Sequence, residues 1–300
     1  MSQPKTAPNL AFGALLTMLA MLCFAAMDAV SKYLVGDYTV AQILWIRWLL
    51  LVPFACFVVR REGVRSALKS RRPGLQIVRS LLWVIESAIF VVVFRYLPLA
   101  DTHALASTAP LMVIAMGIVF LGERASAARW LAVGAAFAGV LLIMQPGFKS
   151  FDWPLLLPLA GAALWAGYQI LTRLVARDDS PATSMIWSSL AAFVAVTPFA
   201  PFGWQWPTPW AWTLMLGVAA IGAVAHYALI RALDYAEAGA VQPYSYSLLV
   251  WVTVLGVVIF GDLPDGWTIV GAGIVVASGL YAWLHDRQDE KRRGTISATP

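Results

Sequence analysis

Charge is scarce in this chain. Of its 300 residues only 12% are Asp, Glu, Lys or Arg, against about 25% in soluble domains, while 60% are hydrophobic. That balance excludes a soluble globular protein and implies a lipid bilayer. Histidine is scarcer still: His103, His226 and His285 are too far apart to form a metal-ligand cluster by spacing, so no metal site is expected. A phosphate-binding loop is missing. The GxG at 271–273 lacks the strand and following pattern of a nucleotide loop, so neither ATP nor any other cofactor is expected. No serine-centred nucleophile elbow occurs, which argues against a hydrolase. The two cysteines, Cys23 and Cys56, fall at different depths of their apolar stretches and are not expected to pair. No alternating ten-residue pattern of barrel strands is present.

What fills the chain is apolar runs of about 18 to 25 residues, the length that carries a helix across ~30 Å of hydrocarbon. Ten can be delimited: Leu10 to Leu34, Val40 to Val59, Ile77 to Phe94, Thr102 to Leu121, Ala127 to Gln145, Trp153 to Leu174, Ala182 to Phe202, Trp210 to Ile230, Gly239 to Phe260 and Gly266 to Leu284. The first is too long for a signal peptide and carries Asp28 and Lys32, so it belongs to the mature fold. Basic residues flanking membrane segments stay in the cytoplasm. With the loop "RREGVRSALKSRRPG" inside, both termini fall inside too, and only Arg95 and Lys149 of the 21 basic residues lie in outer loops. The positive net charge is then topological, and no nucleic-acid partner is implied. Residues 1–9 and 285–300 are cytoplasmic tails, the second, "HDRQDEKRRGTISATP", polar enough to be disordered.

A short motif organises the rest. "FRYLPLAD" (94–101) and "IRALDYAE" (230–237) share an arginine, a leucine two positions on, an alanine five on and an acid six on. "GIVFLGE" (117–123) matches "GVVIFGD" (256–262), Trp130 and Gly134 match Trp267 and Gly271, and Ser31-Lys32 matches Thr172-Arg173. The repeat returns after five helices. Two units, 10–149 and 150–284, are implied, and because five is odd the second is inserted upside down, as in secondary transporters whose site lies at the midplane between halves. Two readings fit the Arg-to-acid hairpins, and both can hold. One is a membrane-edge anchor, with the arginine snorkelling and the acid capping the next helix. The other is a pair of gates, Arg95 and Asp101 outside, Arg231 and Glu237 inside.

Ten segments, the duplicated unit, "LWIRWLL", the R-x-L-x-x-A hairpin and "APLMVIAMGIVFLGER" resemble the EamA family of the drug/metabolite transporter superfamily over residues 10 to 284. Within it the aromatic pattern is most similar to bacterial inner-membrane exporters of aromatic amino acids. The resemblance implies an all-α integral membrane protein, ten transmembrane helices forming two inverted five-helix repeats around a central cavity. Helices one, three, four, six, eight and nine would line it, with five and ten peripheral. The second half departs from the pattern where Pro110 aligns with Leu249, Glu123 with Asp262 and Arg47 with Ser188.

Ionisable residues inside membrane helices cost about 2.5 to 3.5 kcal/mol or more at the centre, so each needs a partner or a cavity. Glu86 sits near the middle of segment three, and Arg79, Trp83, Glu86 and Phe90 share one face at spacings of four, three and four. The repeat aligns Phe90 with His226. It also aligns His103, Ser107 and Pro110 with Gln242, Tyr246 and Leu249, and Phe24, Met27, Asp28 and Ser31 with Trp165, Tyr168, Gln169 and Thr172. The candidate solute-binding residues are therefore Trp83, Glu86, Phe90, His103, Ser107, Trp165, Tyr168, His226, Gln242 and Tyr246, with Asp28 a candidate proton carrier. Simpler roles compete. Asp28 and Lys32, one turn apart, are expected to neutralise each other, and Arg47 to pack its stem between helices. Ala135 and Gly139, then Gly273 and Ala277, let helices five and ten approach closely inside a monomer; a dimer through them is the alternative.

The expected function is export of small metabolites, amino acids including aromatic ones, across a bacterial inner membrane by alternating access driven by a gradient. The partners are then a small-molecule substrate and membrane lipid. An integral-membrane enzyme or a lipid flippase stays open as the alternative.

Overall fold

A computed structural model describes residues 9–60, 63–121, 127–145, 153–236 and 241–297. Its elements are helical throughout. In chain order they are α1 (Leu10–Leu34), α2 (Val40–Val59), the single turn α3 (Val64–Ala67), α4 (Pro73–Val93), α5 (Leu99–Ala106), α6 (Ala109–Leu121), α7 (Ala127–Met144), α8 (Leu156–Val175), α9 (Pro181–Val196), α10 (Pro209–Tyr235), α11 (Ser247–Leu255) and α12 (Gly266–Ser297). Among the described residues, eight helical spans are long and apolar enough to cross a membrane, and two shorter apolar helices cover Trp130–Met144 and Pro181–Val196.

Starts are set by capping. Asn9, Thr39, Ser180 and Thr208 each accept a hydrogen bond from the backbone N–H three residues on, opening α1, α2, α9 and α10. Proline occupies the first turn of α4, α9 and α10, where its missing N–H costs nothing. Segment three accordingly begins at Pro73, four residues before the hydropathy run.

Several expected segments are interrupted. The fourth, expected as one helix from Thr102 to Leu121, breaks at Ser107 and Thr108. Pro110 has no N–H to donate back to the carbonyl of residue 106. Ser107 Oγ and Thr108 Oγ1 instead donate to the carbonyls of His103 and Leu105, closing α5 before α6 restarts. The seventh, expected to reach Phe202, ends at Val196, ahead of Pro198 and Pro201. The ninth opens as a 3-10 turn over Gln242–Tyr246, carrying Pro243, and closes as a wide π turn over Gly256–Phe260. Gly261 stops that turn with φ of +71° and donates to the Val257 carbonyl, a backbone shape that glycine adopts without strain. The tail expected to be disordered continues the helix of α12 to Ser297, in keeping with its Arg, Gln, Glu and Lys content.

The helices pack in a defined set of pairs: α1 with α10, α4 with α8, α4 with α9, α2 with α10, α6 with α8, α1 with α11, α2 with α9, and α7 with α12. The main core runs through α1, α2, α4, α10 and α11, with Trp48, Ile46 and Leu44 of α2 enclosed. The outside stays apolar. Phe120, Val258, Ile269 and Phe137 are exposed, as surfaces against hydrocarbon require.

Candidate functional site

The face read on α4 meets aromatic rings from four other helices. Trp83 has Trp48 of α2, Tyr168 of α8 and His226 of α10 around it, with ring centroids at 6.1, 6.5 and 6.5 Å. Phe24 of α1 stands edge-on to His226 at 5.1 Å, and Trp165 stacks on Tyr168 at 5.1 Å. Two turns further along α4, Phe90 lies 5.7 Å from His103 of α5, which also stacks against Phe94. Gly161 of α8 makes that position possible: a Cβ there would stand 2.7 Å from the Phe90 ring. These rings are mostly half-buried, so they offer surface rather than closing on one another.

Charge converges on the same place. Asp28 Oδ2 lies 3.1 Å from His103 Nε2, but the geometry is not that of a hydrogen bond, so the contact is electrostatic. Among the described residues Glu86 accepts only a long bond from its neighbour Ser87 Oγ, 3.3 Å. Arg47 of α2 feels the charges of both Asp28 and Glu86 without forming a contact ion pair among the described residues. His226 Nδ1 is 2.8 Å from the Gly222 carbonyl, which can only accept. Nδ1 therefore carries the hydrogen, and Nε2 remains to accept from a solute or a water.

The remaining candidates lie elsewhere. Ser107 spends its hydroxyl hydrogen on its own helix. Tyr246 rests against Gly279 of α12, lining a cavity of about 130 Å³ with Pro110, Ile114, Pro243 and Trp283. The Gln242 side chain and Glu237 fall outside the described residues. Arg95 donates to the carbonyls of Val35 and Tyr38, at 2.9 and 3.1 Å, clasping the α1–α2 turn; Asp101 stands in the first turn of α5. Arg231 differs from its repeat partner because α10 runs on to Tyr235, whose hydroxyl it reaches at 3.3 Å within the helix. Lys32 does not neutralise Asp28 as expected. It pairs with Asp262 at 2.5 Å and donates to the Leu97 carbonyl, joining the end of α1 to the turn before α12. α1 turns Asp28 towards His103, and the long lysine stem reaches a carboxylate that sequence distance had hidden.

Sequence reasoning also passed over a polar cluster at the other end of α4. Asp179, between α8 and α9, accepts from Ser70 Oγ, Arg71 N and Gln76 Nε2 at 2.5, 2.7 and 2.9 Å. Arg72 pairs with Asp178 beside it. Burial pushes the Asp179 carboxyl up, but these bonds and the Arg71 charge outweigh it and hold it below the usual carboxylate value. Gln76 passes the network to Arg79, which reaches Tyr168.

Comparison with known proteins matches the EamA-like transporter family model over residues 11–145 and 152–283. The chain belongs to that family. Relatives similar along nearly their whole length include a riboflavin transporter of Vibrio cholerae serotype O1, 28% identical, with 95% of this chain and 97% of the relative covered. An S-adenosylmethionine uptake transporter of Rickettsia conorii is 22% identical (92% and 94% covered), and a pseudopaline exporter of Pseudomonas aeruginosa is 26% identical (89% and 94%). A solved crystal structure, 20% identical, superposes with a TM-score of 0.62 over 93% of this chain and 98% of its own, a likeness of fold. This EamA protein is thus a multi-pass secondary transporter of a small solute and not an enzyme. The relatives named carry solutes other than aromatic amino acids, so that narrower resemblance rests on the sequence pattern alone.

Proposed function

We propose that this EamA protein exports small metabolites bearing an aromatic ring, aromatic amino acids among them, from the bacterial cytoplasm by alternating access. One observation carries the reading: Trp48, Trp83, Trp165, Tyr168, Phe24 and His226 converge from five helices beside Glu86, Asp28 and Arg47. A ring held between rings gains dispersion and about 0.5 to 1.5 kcal/mol of pair geometry. A carboxylate such as Glu86 suits an ammonium, and Arg47 a carboxylate. The ring preference is also compatible with the heteroaromatic solutes for which two of the relatives are named.

Ten crossings in two inverted halves are part of the proposal. Exchanging the halves by a two-fold axis turns α1–α10 into α4–α8, α4–α9 into α2–α10 and α6–α8 into α1–α11, and returns α2–α9 and α7–α12 to themselves. The packing pairs support that reading. So does the family match in two consecutive stretches. The unit of transport is taken as one chain in the inner membrane, with Arg95 and Arg231 near opposite faces.

Uptake into proteoliposomes tests the proposal. L-Tryptophan, L-phenylalanine and riboflavin should each enter faster than L-alanine, and a pH gradient shows whether a proton moves with them. Glu86→Gln should keep normal abundance and lose flux several-fold, because a carboxylate without a close structural partner is retained in a membrane for function. Equal rates for all four solutes, or full flux in Glu86→Gln, would remove the aromatic site or Glu86 from it.

A further inference from the structure

We infer that Arg79 is a positioning residue of this site: it holds the Tyr168 phenol as an acceptor, leaving the phenol hydrogen to donate to an oxygen of the solute, a carboxylate or a ring carbonyl. The inference rests on the reading of the aromatic cluster as the solute site. Arg79 is 1% exposed inside α4, one turn from Trp83. A guanidinium enclosed in a membrane protein is expensive, and this one touches no carboxylate among the described residues. Its terminal nitrogens donate instead to neutral oxygens: Nη2 to Gln76 Oε1, the Ser184 carbonyl and Ser188 Oγ at 3.0, 2.8 and 2.7 Å, Nη1 to Tyr168 Oη and Thr172 Oγ1 at 3.2 and 3.3 Å. The α9 arm anchors the guanidinium, and the α8 arm reaches the ring cluster.

Arginine has no acceptor, so in the Nη1 contact the phenol oxygen must accept. The guanidinium also lies over the Tyr168 ring, 5.1 Å from its centroid, with Trp165 stacked on that ring at an interplanar angle of 21°. Ring plane and hydroxyl are both fixed. A phenol oxygen that accepts from a cation becomes a stronger donor through its own hydrogen, and that hydrogen meets no acceptor among the described residues. The offset that aligns Phe90 with His226 aligns Arg79 with Met215, so the second half has no matching clamp. The cluster therefore recognises its solute asymmetrically, with one polarised donor at Tyr168.

Transport of L-tryptophan and of tryptamine, the same ring and ammonium without the carboxylate, tests this in proteoliposomes. The wild type should favour L-tryptophan. Tyr168→Phe and Arg79→Lys should each raise KM for L-tryptophan about tenfold, leave its maximal rate within about twofold and leave tryptamine unchanged, the pattern of one lost hydrogen bond. The double variant should be no worse than Tyr168→Phe, since Arg79 acts on the solute only through the Tyr168 hydroxyl. Additive losses, equal losses for both probes, or no wild-type preference overturn the assignment while leaving the aromatic site intact. Tyr168→Phe removes a single oxygen, so if Arg79→Lys fails to accumulate, an unchanged KM in Tyr168→Phe overturns it alone. A wild type that carries neither probe overturns the aromatic-solute reading and this assignment with it.

Discussion

At the scale of single residues, the informative polar groups each chose between a neighbour in sequence and a partner far away. Lys32 passes over Asp28 for Asp262, and Asp179 gathers donors from the start of α4. The Asp179 cluster is titratable, which makes its contribution measurable. Its folded carboxyl titrates below the ordinary value of 3.8, so the stabilisation is complete above that value and disappears as pH falls through the folded one. Asp179→Asn should therefore melt lower than the wild type near neutral pH, with the gap closing below about pH 3.8. Thermal unfolding of both proteins in nanodiscs across that range checks it; a gap that does not change with pH would mean the carboxylate charge contributes nothing. Of the candidate site, the stripe Trp83, Glu86 and Phe90 was legible because helical spacing alone puts those residues on one face. The partners of Arg79 were not, because Tyr168, Ser184 and Ser188 come from helices whose rotation about their own axes sequence does not determine.

At the scale of elements, hydropathy found the helices but not their breaks. A scale that averages over about twenty residues does not register that Pro110 withholds one donor or that Gly256–Phe260 widens to a π turn. Small-residue spacing has a similar blind spot. Gly139 and Gly273 were both candidates for the contact of the fifth and tenth helices, yet the crossing of α7 and α12 uses Gly139 and Gly271. A Cβ on Gly139 would stand 2.8 Å from the Gly271 carbonyl oxygen, and one on Gly271 2.6 Å from that of Gly139, whereas Gly273 has nothing within 4 Å. Neither backbone can yield without moving a helix. Gly271→Ala should cost about 1 to 3 kcal/mol, the range for overpacking a close contact, while Gly273→Ala should be neutral or slightly stabilising. Comparing the two melting temperatures in the same detergent checks the crossing point; equal shifts would place it elsewhere.

At the scale of the whole molecule, topology is the first thing to measure. If the basic loops lie inside, a reporter fused after Lys149 and one fused at Pro300 should report opposite sides of the membrane. The same side for both would reject ten crossings in inverted halves. The Lys32–Asp262 pair carries a further consequence, one of timing during synthesis. The two residues are 230 apart in the chain. At 5 to 20 residues per second, roughly ten to fifty seconds separate the appearance of the lysine from that of its counter-ion. His103, which Asp28 meets in the finished protein, follows it by 75 residues and so is also made later, though well before Asp262. Until those partners are made, Asp28 and Lys32 are the two charged residues of α1, one turn apart, where opposite charges attract; the pairing that reads so plainly from the sequence is open to the nascent helix, and the folded chain replaces it with Asp262 and His103.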